Sequence, residues 1–288
     1  METMLNYLPI REQEEVNPEK PGDYIDDTGL LVCGVCGQRK QYRTILPFSD
    51  IEITVPVICY CKEKELKDEM DKKQYEEKLR RIEEIREASL IPGELKNAKF
   101  SEYICRAENK RAYTVANNYV DNWETVKASG EGIIFYGGVG TGKSYTAACI
   151  ANALMEQEVA VLMTSFVKIL QALRQDGTNE EAYGKAIESV DLLIIDDLGA
   201  ERDTAYAQEK VYNVIDSRLR TGKPMILTTN LTAQELKNPD GIGYERIYDR
   251  VMKACYPVEI AGKSMRRQEA GRRFESMRSI LERPREEL

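Results

Sequence analysis

The segment GIIFYGGVGTGKSYTAACIANAL, residues 132–154, restricts the possible folds of this chain more than any other. Ile133 to Tyr136 form a continuous apolar run bounded by glycine, the pattern of a strand buried on both faces. Thr146 to Leu154 are mostly good helix formers. Gly137-x-x-x-x-Gly142-Lys143-Ser144 joins the two, so this turn must deliver a strand end directly into a helix N-terminus. Such a turn gathers backbone N–H groups around an anion, and glycine leaves no Cβ in the way. We read it as a P-loop, with Gly137, Gly138, Val139, Gly140, Thr141, Gly142 and Tyr145 around the phosphates. Lys143 is placed to reach the β- and γ-phosphates and the Ser144 hydroxyl to bind Mg²⁺, which makes ATP and Mg²⁺ the expected ligands. A glycine-rich turn without a ligand is the bland alternative.

Two further strand ends carry polar residues. In VDLLIIDDLGAE, Leu192 to Ile195 run apolar and stop at Asp196 and Asp197, as a central parallel strand does at its carboxyl edge. Asp196 is expected to hold Mg²⁺ through water and Asp197 to orient the attacking water, with Glu201 as the substitute if the shorter Asp197 does not reach. A pair of solvated acids at a strand end is the alternative. In KPMILTTNLT the strand is Pro224 to Thr229, and it ends at Asn230. There is no N-K-x-D segment, which disfavours guanine recognition.

The chain has no histidine, and this excludes Ser-His-Asp and Cys-His hydrolysis and every imidazole-bound metal. A zinc site would have to be built from cysteine. LVCGVCGQRK and VICYCKEKE supply Cys33, Cys36, Cys59 and Cys61 as a C-x-x-C and a C-x-C, a set that suits one tetrahedral zinc, with free or redox-active thiols as the alternative. The remaining Cys105, Cys149 and Cys255 sit in apolar or helical surroundings and read as core. An acidic N-terminus without a basic stretch before an apolar one is not read as a secretory signal, and no run is long enough to span a membrane, so a cytoplasmic location is expected. The net charge of −8 argues against coating DNA by bulk attraction while leaving room for a local basic face.

Three zones follow along the chain. Residues 1–61 are read as a small zinc-binding domain and residues 62–94 as a helical linker. The linker mixes acids and bases around a sparse stripe of Leu66, Met70, Leu79, Ile82 and Ile85, and Pro92 and Gly93 break it. Residues 95–288 alternate strand-like and helical stretches and are read as an α/β domain with a parallel sheet and a short C-terminal helical segment.

GGVGTGKS, LLIIDDLGAE, ILTTNL and ERIYDRVMKACYPVEIAGKSMRR, in that order, resemble the DnaC/DnaI-type bacterial or phage helicase loaders and the related IstB-like transposition ATPases. The resemblance covers residues 95–270, somewhat under two thirds of the chain. It implies a P-loop AAA+ ATPase domain with a parallel central sheet flanked by helices. It also implies that Asn230 is the sensor 1 residue, Arg250 (or its neighbour Arg246) the arginine finger and Arg266 the sensor 2 arginine. SFVKILQALRQD occupies the place of a helix that contacts single-stranded DNA, with Lys168 and Arg174 as phosphate contacts; core packing is its other reading. The same likeness implies a replicative helicase, single-stranded DNA and further copies of the ATP-bound chain as partners, with the four-cysteine segment meeting the helicase. A transposition helper acting on duplex DNA and an ATP-holding adaptor without useful hydrolysis are the competing readings.

Overall fold

The chain divides into two units, Met1–Lys78 and Leu79–Leu288. The computed structural model describes residues 21–89, 91, 93–175, 179–201 and 204–282. Residues 1–20 of the expected N-terminal segment and Pro92 of the expected break lie outside the described residues.

The N-terminal unit is built from two short hairpins, because it has too few apolar residues for a layered core. Strands β1 (Tyr24–Ile25) and β2 (Leu31–Val32) pair antiparallel, as do β3 (Gln41–Ile45) and β4 (Glu52–Pro56). Asp26 fastens the first turn: its Oδ1 accepts the Thr28 hydroxyl and the N–H groups of Thr28 and Leu30. These bonds, that from the Thr28 hydroxyl foremost, hold its carboxyl down at about 2. Leu30, Leu31 and Val32 are buried, whereas Tyr42, Ile45, Phe48 and Ile51 of the second hairpin are exposed. Helix α1 (Tyr60–Ala88) follows at once. Its Lys72–Glu76 and Arg80–Glu84 pairs are solvent-exposed and worth only about 0.3–0.5 kcal/mol each. The apolar stripe is largely uncovered, with Leu66, Met70 and Leu79 exposed and Ile82 and Ile85 half-buried.

In the C-terminal unit, α2 (Lys110–Asp121) and α3 (Trp123–Ser129) precede β5 (Gly132–Tyr136) and α4 (Lys143–Glu156). Next come β6 (Val161–Ser165), α5 (Phe166–Gln175), α6 (Asn179–Ser189), β7 (Leu192–Leu198), α7 (Ala205–Arg220) and β8 (Met225–Thr229). The chain continues through α8 (Ala233–Lys237), α9 (Ile242–Ala254), β9 (Cys255–Glu259) and α10 (Met265–Leu281). The five strands β5 to β9 form one parallel sheet in the order β6-β7-β8-β5-β9. Helices cover both faces, which explains the unbroken apolar runs. Ile133, Phe135, Leu192, Ile194 and Ile226 enter a core with α2 and α4; Ile134, Leu193, Ile195 and Leu227 enter one with α5, α7 and α9. The order places β8 between β5 and β7, so a residue just past β8 must sit between the P-loop and the paired aspartates. At the edges, the Met163 N–H of β6 donates to Ser89 Oγ at 2.7 Å, and β9 carries Pro257, which has no N–H. No helix among the described residues is long and apolar enough to cross a membrane.

Two sequence expectations are corrected. The third site strand begins at Met225 rather than Pro224, because Pro224 has no N–H to give the ladder; its carbonyl accepts a side chain as well. Cys149 and Cys255 are in the core as expected, but Cys105 is exposed: it lies in the irregular stretch before α2, where no element covers it.

That side chain is Arg218, which is fully buried and bonds only main-chain carbonyls. Its Nη1 donates to the Ile187 and Val190 oxygens (3.1 and 2.9 Å) and its Nη2 to those of Asp191 and Pro224 (2.7 and 2.8 Å). One guanidinium thereby ties the end of α6 to the entries of β7 and β8, and burial lowers its pKa to about 10. Lysine has no planar fork to span four carbonyls. Arg218→Lys is therefore expected to cost about 2 kcal/mol or more, because each buried carbonyl left unpaired costs about 1–3 kcal/mol. A urea midpoint unchanged from the parent would contradict this.

Candidate functional site

The site lies where the carboxyl ends of β5, β7 and β8 meet the N-terminus of α4. Its cavity of about 630 Å³ is lined by the P-loop residues Val139, Gly140 and Gly142 to Tyr145, by Asp196, Asp197 and Asn230, and by Arg266 and Arg272 from α10. Two glycines are required by geometry. Gly137 has φ +138°, and a Cβ there would lie 2.5 Å from the Ile260 oxygen. Gly140 has φ +78°, and a Cβ there would lie 2.2 Å from Ser264 Oγ. The same close approach lets the Met265 N–H donate to the Gly140 oxygen at 2.8 Å, which attaches α10 to the loop.

Lys143, the first residue of α4, is buried to 4% exposure. Its Nζ donates to the oxygens of Gly137 (3.0 Å) and Gly138 (2.7 Å) and to Asn230 Oδ1 (2.8 Å). Burial lowers its pKa, against the pull of Asp197 and Asp196. Asn230 thereby couples the end of β8 to the P-loop lysine.

The two aspartates are held differently. Thr228 is the pivot: its hydroxyl donates to Asp196 Oδ1 at 2.5 Å and accepts the Asp197 N–H at 2.9 Å. Asp197 takes φ +56°, and the pairing of β7 with β8 shifts register between Ile195 and Leu198 around it. This break turns Asp197 out of strand alternation, so both acids line the same cavity. Burial first, and Asp196 second, push the Asp197 carboxyl up. Glu201 is not on the cavity wall; its Oε2 accepts the Gly199 N–H at 2.9 Å and its Oε1 is buried without a partner. Burial raises its pKa as well.

The other predicted residues are spread more widely. Arg266 lines the cavity, while Arg250 of α9 does not: its Nε donates to Asp216 Oδ1 at 3.0 Å and its guanidinium lies 4.4 Å from the Tyr212 ring centre. Arg246 is exposed. Lys168 is half-buried in α5, whose Phe166, Ile169 and Leu170 are core residues; the Arg174 side chain lies outside the described residues. Sequence reasoning missed Thr228, Arg106, Gln268, Glu269 and Arg272. For the α10 group a signal existed, since Met265, Gln268, Glu269 and Arg272 recur at helical spacing on the cavity face.

In the N-terminal unit the Sγ atoms of Cys33, Cys36 and Cys59 lie within 4.8 Å of one another; Cys61, the fourth expected ligand, approaches Cys36 but stands outside that group. All four are free thiols. The knuckle is closed by the Gly37 N–H to the Cys33 oxygen and the Cys33 N–H to the Gln38 oxygen. The Gln38 N–H is the largest influence bringing the Cys36 thiol down to about 6, while the Cys61 thiol is pushed up to about 11, first by the approach of Cys36. Clustered sulfurs, one of them favoured as thiolate by N–H donors, fit a soft divalent ion such as zinc.

The family described as IstB-like ATP binding protein matches residues 65–272. The replicative helicase loader DnaC of Escherichia coli (strain K12) is 31% identical over 160 residues, 54% of this chain and 63% of that protein. The chain thus spans less than two thirds of that loader's length. The phage-like element PBSX protein XkdC of Bacillus subtilis (strain 168) is 30% identical over 211 residues, 69% of this chain and 77% of that protein. A crystal structure of DnaI superposes with a TM-score of 0.52 at 24% identity, covering 60% of this chain and 96% of that one, which is a likeness of fold.

The raised Asp197 carboxyl has a consequence for stability. A carboxyl whose folded pKa exceeds its unfolded value contributes stability below the unfolded value, near 3.9, and loses it as pH rises through the folded value. Asp197→Asn removes that penalty and keeps a residue that tolerates positive φ. The variant should be more stable than the parent at pH 7, and the gain should shrink towards pH 4. Urea midpoints at the two pH values test this; a loss of stability at pH 7 would oppose it.

Proposed function

The chain belongs to the IstB-like ATP binding protein family, and from that premise we propose that it is an ATPase delivering a ring-shaped replicative helicase onto single-stranded DNA, with ATP as the switch. The observation that carries the ATPase part is the Lys143–Asn230 bond, which joins the P-loop to the end of β8 in the cavity that Asp196 and Asp197 also line. A γ-phosphate entering the cavity would replace Asn230 as the partner of Lys143. Asn230 would then report the phosphate's presence to Asp197, which holds the attacking water and accepts its proton. Ser144 and Asp196 are the residues that would hold Mg²⁺, which supplies charge neutralisation on the phosphates. Arg266 would meet the phosphates from α10, and Arg250 would reach the nucleotide of a neighbouring copy.

The loader part is supported by the similarity to DnaC and by the second unit that the chain carries. In our reading residues 1–61 form the partner-binding module, residues 62–94 a helical linker, and residues 95–288 the ATPase domain. The exposed Tyr42, Ile45, Phe48 and Ile51 offer an apolar docking surface for the helicase. Cys33, Cys36, Cys59 and Cys61 would hold one structural zinc that sets the hairpins in place. Lys168 and Arg174 would contact the DNA backbone. A transposition helper acting on duplex DNA, implied by the resemblance to IstB-like ATPases, is the second reading.

Lys143→Ala should remove most ATP affinity, since it deletes the cation that the P-loop itself places on the β/γ-phosphates. Asp197→Asn should keep binding and slow hydrolysis on the order of 100-fold. In a loading assay with helicase and circular single-stranded DNA, Lys143→Ala should fail. Turnover stimulated by duplex but not single-stranded DNA would favour the transposition reading, and turnover indifferent to either would favour an adaptor. Normal hydrolysis by Asp197→Asn would move the catalytic role to Glu201.

Metal analysis of protein prepared without chelator should give about one zinc per chain, lost in Cys59→Ser/Cys61→Ser. Chelation should abolish helicase binding while leaving ATP affinity intact. A metal-free preparation that still binds helicase would overturn the zinc assignment.

A further inference from the structure

We infer that Asp216 and Tyr212 of α7 are positioning residues that aim Arg250 outward as a preset arginine. This rests on the proposed role of Arg250 towards a neighbouring copy's nucleotide. Tyr212, Asp216 and Arg220 are spaced four apart on α7, so they stand in one row along its surface. Arg250 crosses that row from α9. Its Nε is committed to Asp216 Oδ1 at 3.0 Å, and its plane lies over the Tyr212 ring at 4.4 Å. With the Nε bonded and the Cζ over the ring, the guanidinium is held at two points, and its Nη edge is what remains to present.

Other features separate this arrangement from an ordinary strut between helices. Asp216 Oδ2 accepts Arg220 at 2.6 Å, so one carboxylate serves two guanidinia and the cluster stays net positive. The Arg250 side chain is 31% exposed and that of Asp216 17%, so the pair can be reached from outside the core. Beside the row, a polar cavity of about 410 Å³ is lined by Asp216, Arg220, Glu188, Asn213, Ser217 and Thr221, leaving open space beside the clamp. Arg246, the other finger candidate, is exposed and has no such carboxylate or ring partner among the described residues. An arginine meant to serve its own subunit's nucleotide would line the cavity at the P-loop, as Arg266 does and Arg250 does not.

The test uses full-length variants and ATP hydrolysis. A displacement of about 1 Å in a catalytic group can cost on the order of 100-fold. Asp216→Asn and Tyr212→Leu should therefore lose at least about tenfold in rate with ATP affinity and urea midpoint unchanged, while Tyr212→Phe, which keeps the ring, should retain the parent rate. Adding Asp216→Asn to Arg250→Ala should cause no further loss. Mixing Asp216→Asn with Lys143→Ala subunits should restore activity, because one supplies an intact P-loop and the other an intact clamped arginine. A lowered midpoint with no recovery on mixing would mean that the pair is a strut, and the inference would fail. Parent activity in Asp216→Asn beside an inactive Arg250→Ala would overturn the clamp alone. Parent activity in Arg250→Ala would overturn the role of Arg250 and the clamp with it.

Discussion

The placement of one ammonium group organises the C-terminal unit. Lys143 is almost wholly withdrawn from water, and such a charge persists only where oxygen atoms replace its hydration. Two of those oxygens belong to Gly137 and Gly138, which requires the loop to fold back under its own helix. The third belongs to Asn230, which requires β8 to run beside β5. The strand order, the glycines and the polar strand end can all be understood as conditions for holding that cation. It is held by neutral dipoles, and this makes it transferable to an anion that offers more.

The neighbouring carboxylates show how strain is used locally. Thr228 bonds the side chain of one aspartate and the main chain of the next. The positive φ at Asp197 is the conformational cost of presenting two successive acids to one space, since a regular strand would send them to opposite faces. Asp196 stays in register with its neighbours, and Asp197 leaves it.

Much of this was legible in the sequence for a definite reason. Runs such as Ile133–Phe135 and Leu192–Ile195 are apolar without alternation only where helices cover both faces, so strand, sheet type and the site at the strand ends follow together. Lys143, Asp196, Asp197 and Asn230 could be placed because each directly follows such a run or a glycine turn. Arg218, Thr228, Asp216 and Tyr212 could not, because their partners lie roughly thirty residues away and nothing local announces the pairing. Cys105 failed for the opposite reason: apolar neighbours suggested a core, yet no helix or strand closes over it. The uncovered stripe of α1 shows the same limit, since periodicity reveals a face but does not say what meets it.

The two ends of the parallel sheet have a consequence of their own. An edge strand offers free main-chain donors to any passing strand, which is how sheets fuse into ribbons and fibrils. Here Ser89 occupies a donor of β6, and Pro257 removes one from β9. The sheet is thus interrupted at both margins against lengthening by strand addition. For this sheet, contacts between copies are directed towards side chains on helices and loops, where they can be made and released reversibly.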